Sequence, residues 1–313
     1  MPTPVETKLV RHGAGRTAGP GALHYDVIAP VEAGDRPPVV MIHGGSHTGA
    51  CYLRTVDGRP GWAYRFVARG YTAIVPDWPG MGRSGDVAPA DVSGETVVRA
   101  LGGLLASLGR PAVVVTHSMS GAYGWRLLEQ QGAAIACLVG VAPAPPGNIQ
   151  PLPEIVSETA DRLEIRAAGR VQRVVKSGLA RHDRDFTEKK LVGASRRFPR
   201  SLMADYDASL VPTPARLLYE RRNIRGAQLR VAEPGRFAGK RILVVTGTDD
   251  LDHPVEVDGA IVTWLKEAGA AAEFIALGEH GIDGNGHMLM LEENSDEIAD
   301  LIIAWIDLVL AAA

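Results

Sequence analysis

The chain has 313 residues, 46% of them hydrophobic, enough for a large core and, by length alone, about two domains. A formal net charge of −3 gives no global case for a nucleic-acid or membrane partner. Two cysteines, Cys51 and Cys137, are too few for a disulfide framework and lack metal-ligand spacing, which points to a reducing, cytoplasmic compartment and no metal.

Residues 1–20 are punctuated by Gly and Pro, carry no charged-then-apolar leader, and read as an irregular N-terminal arm. A rather polar strand over residues 23–28 is expected at a sheet edge. Apolar, strand-like runs follow at 39–42, 72–75, 112–115, 137–141, 242–245 and 272–276. Helical patterns lie between them. Trp62, Phe66 and Val67 share one face before Gly70, and residues 97–108, 121–131 and 257–268 repeat the period. The run 298–313 contains Asp300 and Asp307 and is shorter than the roughly 20 residues of a membrane span. It reads as a docked core helix, started by Asn294 and Ser295 with Asp296 and Glu297 in its first turn. Buried strands separated by helices predict an α/β fold, a mainly parallel sheet with helices on both faces.

Residues 143–240 break that rhythm. No clear strand stands out there, and the segment is predicted to be a helical, basic cap between two halves of the core, 21–142 and 241–313. From Glu154 to Arg241 there are 20 Lys and Arg against 11 Asp and Glu. A cap of this kind lies over the sheet's C-terminal edge, where ligands bind in open α/β sheets. Its arginines either meet an anionic substrate or, the favoured expectation, form a solvated face or pair with the acidic core. A basic cap facing an acidic core would also suit a homodimer.

The most informative segment is Thr116-His117-Ser118-Met119-Ser120-Gly121, between an apolar strand and a helix. A serine on so sharp a strand-to-helix turn presents its hydroxyl clear of the sheet and aims the next amide at a carbonyl under attack. Such an elbow wants small residues two positions to either side, here Thr116 and Ser120. Ser120 is the rival nucleophile, set aside because His117 precedes Ser118 and Gly121 suits the helix start. His43-Gly44-Gly45-Ser46-His47 follows the strand ending at Ile42. Backbone N–H groups in such a loop stabilise a developing oxyanion. Gly45 and Met119 are the expected pair, with Ser46 as a contributor. His47 is expected either to touch substrate or to make a structural hydrogen bond. The Asp77 to Gly85 loop, dense in Pro and Gly, shapes the site without chemistry, and its Trp78 either lines the pocket or packs. Gly284-Asn285-Gly286-His287 follows the last strand. His287 is the expected general base, with His280 a decoy.

Together these motifs resemble the α/β-hydrolase superfamily, whose chain order is serine, acid, histidine. A narrower likeness is to bacterial esterases with an H-S-x-S-G elbow, carried by Thr48-Gly49, by Asp57-Gly58-Arg59-Pro60-Gly61-Trp62 and by Gly284 to Glu292. Those esterases usually hold their acid as a glutamate in a V-E-P context, where this chain has Val141-Ala142-Pro143. The wider superfamily's G-x-x-D-x-x-x-P pattern, here Gly247 to Pro254, implies Asp250 as the acid, Asp252 as runner-up and Asp249 third. The resemblance implies a serine hydrolase acting on a small-molecule carboxylic ester or lactone, without cofactor. The alternatives are carbon–carbon or amide hydrolysis, a lyase, or a non-catalytic receptor on the same scaffold.

Overall fold

The computed structural model describes residues 10–19, 21–32, 34–167 and 169–312. The chain enters the main sheet as β1 (Val10–Arg16), β2 (His24–Pro30), β3 (Val39–Ile42), β4 (Ala73–Pro76), β5 (Ala112–His117) and β6 (Ile135–Val141). It then leaves the sheet for β7 (Glu154–Glu158), β8 (Arg162–Ala167), β9 (Arg170–Val175) and two short strands, β10 (Leu179–Ala180) and β11 (Thr213–Pro214). It returns as β12 (Arg241–Thr246) and β13 (Ala271–Ala276). The eight-stranded sheet runs β1-β2-β4-β3-β5-β6-β12-β13. From β4 to β13 every pairing is parallel, and β1 and β2 add an antiparallel edge.

Each central strand is apolar on both sides because both faces are covered. Val39 and Met41 face one core with Val113, Val115 and Leu243, under the helices Trp62–Ala68 and Ser295–Ala311. Val40 and Ile42 face the other with Val114, Leu138 and Val244, under Gly94–Ser107, Ser120–Gln131 and Val255–Glu267. Period-two side-chain direction thus splits one run between two cores. Full burial of each such side chain contributes roughly 1.5–3 kcal/mol. Among the described residues no helix is long and apolar enough to cross a membrane.

Two expectations need correction. Of the irregular arm, residues 1–9 and Pro20 lie outside the described residues, but Val10–Arg16 pairs along its whole length with β2. The edge strand is therefore β1, and β2 lies one place inside. The segment expected to be helical carries a three-stranded antiparallel sheet, β7-β8-β9. Leu163 and Ile165 point inward with Val174 against Ile224, while Glu164 and Arg166 point out. Arg166 lies opposite Glu154, and Arg173 opposite Glu164, with ion pairs of 2.6 and 3.3 Å. Glu, Arg and Leu are good helix formers, but a period of two with opposite charges across strands favours a sheet.

Candidate active site

The loops after β3, β5, β12 and β13 meet at the C-terminal edge of the sheet. Ser118 follows β5 with φ of +52°, a left-handed conformation that costs a non-glycine residue on the order of 1 kcal/mol or more. Its backbone is fixed on both sides. Ser118 N–H donates to Val141 O at 3.0 Å, and its own carbonyl accepts from Gly121 at 2.9 Å and Ala144 at 2.7 Å. The elbow packs closely at Gly121, where a Cβ would lie 2.5 Å from Pro143 Cβ and 2.6 Å from Ala144 N. Ser120 Oγ is engaged by backbone, bonding Ile42 O and His117 O at 2.9 Å and accepting from His117 N–H at 2.8 Å. That leaves Ser118 as the free hydroxyl.

His287 Nε2 lies 2.9 Å from Ser118 Oγ, and its Nδ1 lies 2.8 Å from Asp250 Oδ2. A carboxylate only accepts, so Nδ1 carries the proton and Nε2 receives the serine O–H. The other Asp250 oxygen accepts from the N–H groups of Asp252 and His253, at 2.9 and 3.0 Å. Burial opposes ionisation of Asp250, but the His287 charge and hydrogen bond, with His253, hold its pKa below the ordinary value. Asp252 instead forms an ion pair with Lys190 at 2.9 Å, and Asp249 pairs with Arg196 at 2.9 Å. His280 is exposed at the end of a 3₁₀ turn.

Gly45, Ser46, Ser118 and Met119 line one cavity of about 30 Å³. The N–H groups of Gly45 and Met119 have no protein acceptor among the described residues. Ser46 differs from its expected part: it lines the cavity, but its N–H donates to Thr213 Oγ1 at 2.9 Å. His47 bonds Gly45 O through Nδ1 at 2.8 Å and Tyr206 through Nε2 at 3.0 Å. Burial pushes its pKa down to about 3, so it props the loop as a neutral ring. Trp78, expected as a possible pocket wall, is fully buried and stacks on His43 at 4.4 Å. The loop it belongs to is fixed by Asp77, which accepts from Gly49 and Arg83 N–H at 2.8 and 3.0 Å.

The opposite wall comes from residues between β9 and β12: His182, Phe186, Lys190, Leu191, Leu218, Arg221 and Arg222. The sequence motifs singled out none of these. Glu292, the last residue of the Gly284 to Glu292 motif, holds the histidine loop. It accepts from Gly286 N–H at 2.7 Å, Ser195 Oγ at 2.5 Å and Asn285 Nδ2 at 2.6 Å. Burial keeps its pKa above the ordinary value in spite of those bonds. Asp252, His253 and His287 bring possible metal-ligand atoms within 4.8 Å of one another. Both nitrogens of His287 are already bonded and His253 Nδ1 is held by Asp258 at 3.0 Å, which leaves His253 Nε2 without a hydrogen-bond partner among the described residues.

A family model described as "Alpha/beta hydrolase family" matches residues 39–301. The chain belongs to the α/β-hydrolase family. Among curated proteins, this hydrolase is 28% identical over 326 aligned positions to "Probable secreted lipase phiG" from Fungal sp. (strain ATCC 74256), covering 86% of this chain and 81% of that one. Among solved structures, it superposes on a novel bacterial esterase with a TM-score of 0.61 at 17% identity, covering 97% and 98% of the two chains. Haloalkane dehalogenase DbeA from Bradyrhizobium elkani gives a TM-score of 0.64 at 17% identity, with 97% and 100% covered. The two structural likenesses establish the hydrolase fold alone.

Proposed function

We propose that this α/β-hydrolase cleaves a carboxylic ester or lactone through an acyl-enzyme on Ser118. The observation that carries the reading is the hydrogen-bonded chain Ser118–His287–Asp250 beside two N–H groups, of Gly45 and Met119, with no acceptor among the described residues. The esterase and lipase names among the similar proteins agree with it.

In this reading Ser118 Oγ attacks the carbonyl carbon as His287 Nε2 takes its proton. The carbonyl oxygen, now negative, accepts from Gly45 and Met119 N–H, each such donor lowering the barrier by about 3 kcal/mol. Collapse of the intermediate breaks the bond to the alcohol oxygen, which receives the proton from His287. Water then repeats the sequence on the acyl-enzyme and releases the acid. Asp250 keeps the imidazole in the productive tautomer and stabilises its charged form. We also place the protein in the cytoplasm, since Cys51 and Cys137 are buried and unpaired, although the fungal relative is named as secreted; fractionation of expressing cells reads this directly.

The test is intact-protein mass spectrometry after exposure to a small fluorophosphonate. One adduct is expected on the wild type, none on Ser118→Ala, and slower labelling of Asp250→Asn. An adduct that survives Ser118→Ala and disappears in Ser120→Ala would overturn the assignment.

A further inference from the structure

About half of the cations between β6 and β12 have an anionic partner among the described residues. Arg166, Arg173 and Arg225 pair with glutamates of the small sheet, and Arg196 and Lys190 reach Asp249 and Asp252. Arg221 and Arg222 are different. Both line the cavity at Ser118, both are only partly exposed, and neither guanidinium has a hydrogen-bond acceptor or carboxylate partner among the described residues.

The local charge balance makes this arrangement costly to the free protein. Asp252 acts on both arginines, but Lys190 already sits 2.9 Å from it. Asp258, which also acts on Arg221, is bonded to His253. Desolvation pushes Arg222 down to about 10, Lys190 down to about 8, and Arg221 down as well. Partly buried cations without partners are destabilising, and an anion entering the cavity relieves that cost.

The backbone that carries the two arginines is also held in place. Arg221 ends the helix Ala215–Arg221, and Asn223 follows in a left-handed conformation with φ of +51°. Asn223 Nδ2 donates to Gln150 O at 2.7 Å, and Gln150 Nε2 donates back to Arg221 O at 2.8 Å. Gln228 N–H closes the group on Asn223 Oδ1 at 3.2 Å. A turn fixed by buried amides presents its side chains with little ordering cost, as a binding site requires. Guanidinium groups suit carboxylates in particular, through paired N–H···O bonds.

Resting on the acyl-enzyme reading above, we propose that Arg221 and Arg222 bind a carboxylate carried by the substrate, so that the enzyme prefers an ester with a free acid group to the matching neutral ester. Phe186, Leu191 and Leu218 give the same wall apolar surface, beside His182 and Lys190.

The experiment compares kcat/KM on two pairs of esters. Monoethyl against diethyl succinate puts the charge on the acyl side; acetoxyacetate against its ethyl ester, read by acetate release, puts it on the alcohol side. The wild type is expected to favour the charged member of at least one pair by about tenfold or more. R221Q/R222Q is expected to lose most of that ratio, and Arg→Lys at either position to keep more of it than Arg→Gln. A wild-type ratio of one or below in both pairs, or a ratio the double variant leaves unmoved, overturns the proposal. Calorimetric binding of the two charged esters to Ser118→Ala, with and without the arginine substitutions, separates this proposal from the reading beneath it. Arginine-dependent binding without fluorophosphonate labelling of the wild type sinks the acyl-enzyme and keeps the subsite. Labelling with no arginine-dependent binding does the reverse.

Discussion

The loops that bring Ser118, His287 and Asp250 together and the segment between β6 and β12 are built on different principles. In the first, backbone packs on backbone. A Cβ on Gly247 would lie 2.4 Å from Asn285 O, so the loop bearing Asp250 and the loop bearing His287 touch without room for a methyl group. In the second, β7 is exposed throughout, and beyond the backbone ladder it meets β8 through an exposed ion pair, Glu154–Arg166, and a Ser157–Glu164 hydrogen bond. Contacts of the first kind fix atoms to a fraction of an ångström, whereas contacts of the second kind leave sequence free to vary. The segment between β6 and β12 nonetheless supplies Lys190, Arg221 and Arg222 to the pocket. The proposed chemistry and the proposed selectivity therefore fall in parts of the molecule built by different kinds of contact.

The largest effect expected from breaking the first region is at Asp250. An amide there still accepts from the N–H groups of Asp252 and His253, but its NH₂ meets His287 Nδ1 and forces the unproductive tautomer. Asp250→Asn should lower kcat by about 10⁴-fold. Asp252→Asn, which removes the partner of Lys190, should cost far less. Equal losses on a chromogenic ester would move the acid assignment to the pair.

Acid should act on the same loops next. Burial holds His43 near 4 and His47 near 3, well below the ordinary 6.5. Between those values and 6.5 the unfolded chain binds protons that the folded chain refuses. Stability therefore rises with pH across that window and falls as pH drops from 6.5 toward 4. His43 alone contributes on the order of 3 kcal/mol, and His182, lowered to about 4, acts in the same sense. Urea midpoints at pH 7, 5.5 and 4.5 should decline in that order; a flat series would mean that these rings are hydrated.

A smaller contrast comes from adding one methyl group in each region. Gly121→Ala drives a Cβ into Pro143 and the Ala144 backbone and should destabilise by about 1–3 kcal/mol. Gly235→Ala, in the 3₁₀ turn Pro234–Phe237, meets nothing within 4 Å and should leave stability level or raise it by up to about 1 kcal/mol. Similar melting temperatures for the two variants would remove the distinction between the regions.

How legible each region is in the sequence follows from the same difference. The central strands read clearly because burial on both faces demands continuous apolar runs, as in Val39 to Ile42. The elbow and the histidine loop read clearly because tight turns restrict residue choice. β1 was missed because its text, VRHGAGR, has no apolar alternation, and its pairing with β2 is mostly a matter of backbone. β8 carried a usable signal in the alternation of Leu163 and Ile165, masked by helix-forming Glu and Arg between them. That Ser46 N–H faces Thr213, and that Trp78 stacks on His43, depends on contacts between residues far apart in the chain. No local pattern records those.

The smallest expected effect belongs to the ion pairs of the small sheet. Arg166 and Glu154 stand directly opposite across β7 and β8, yet their side chains are 46% and 60% exposed. Water screens such a pair, and holding two long side chains in one geometry costs entropy, so a double-mutant cycle to alanine should give about 0.5 kcal/mol or less. Arg65 and Asp300, joining the helices Trp62–Ala68 and Ser295–Ala311, are 22% and 31% exposed and meet through two hydrogen bonds. The same cycle there should give a larger coupling, toward about 1 kcal/mol. If the small-sheet pair couples as strongly as the helix pair, the segment between β6 and β12 is held more rigidly than its exposure implies, and the wall carrying Arg221 and Arg222 is as preorganised as the loops it faces.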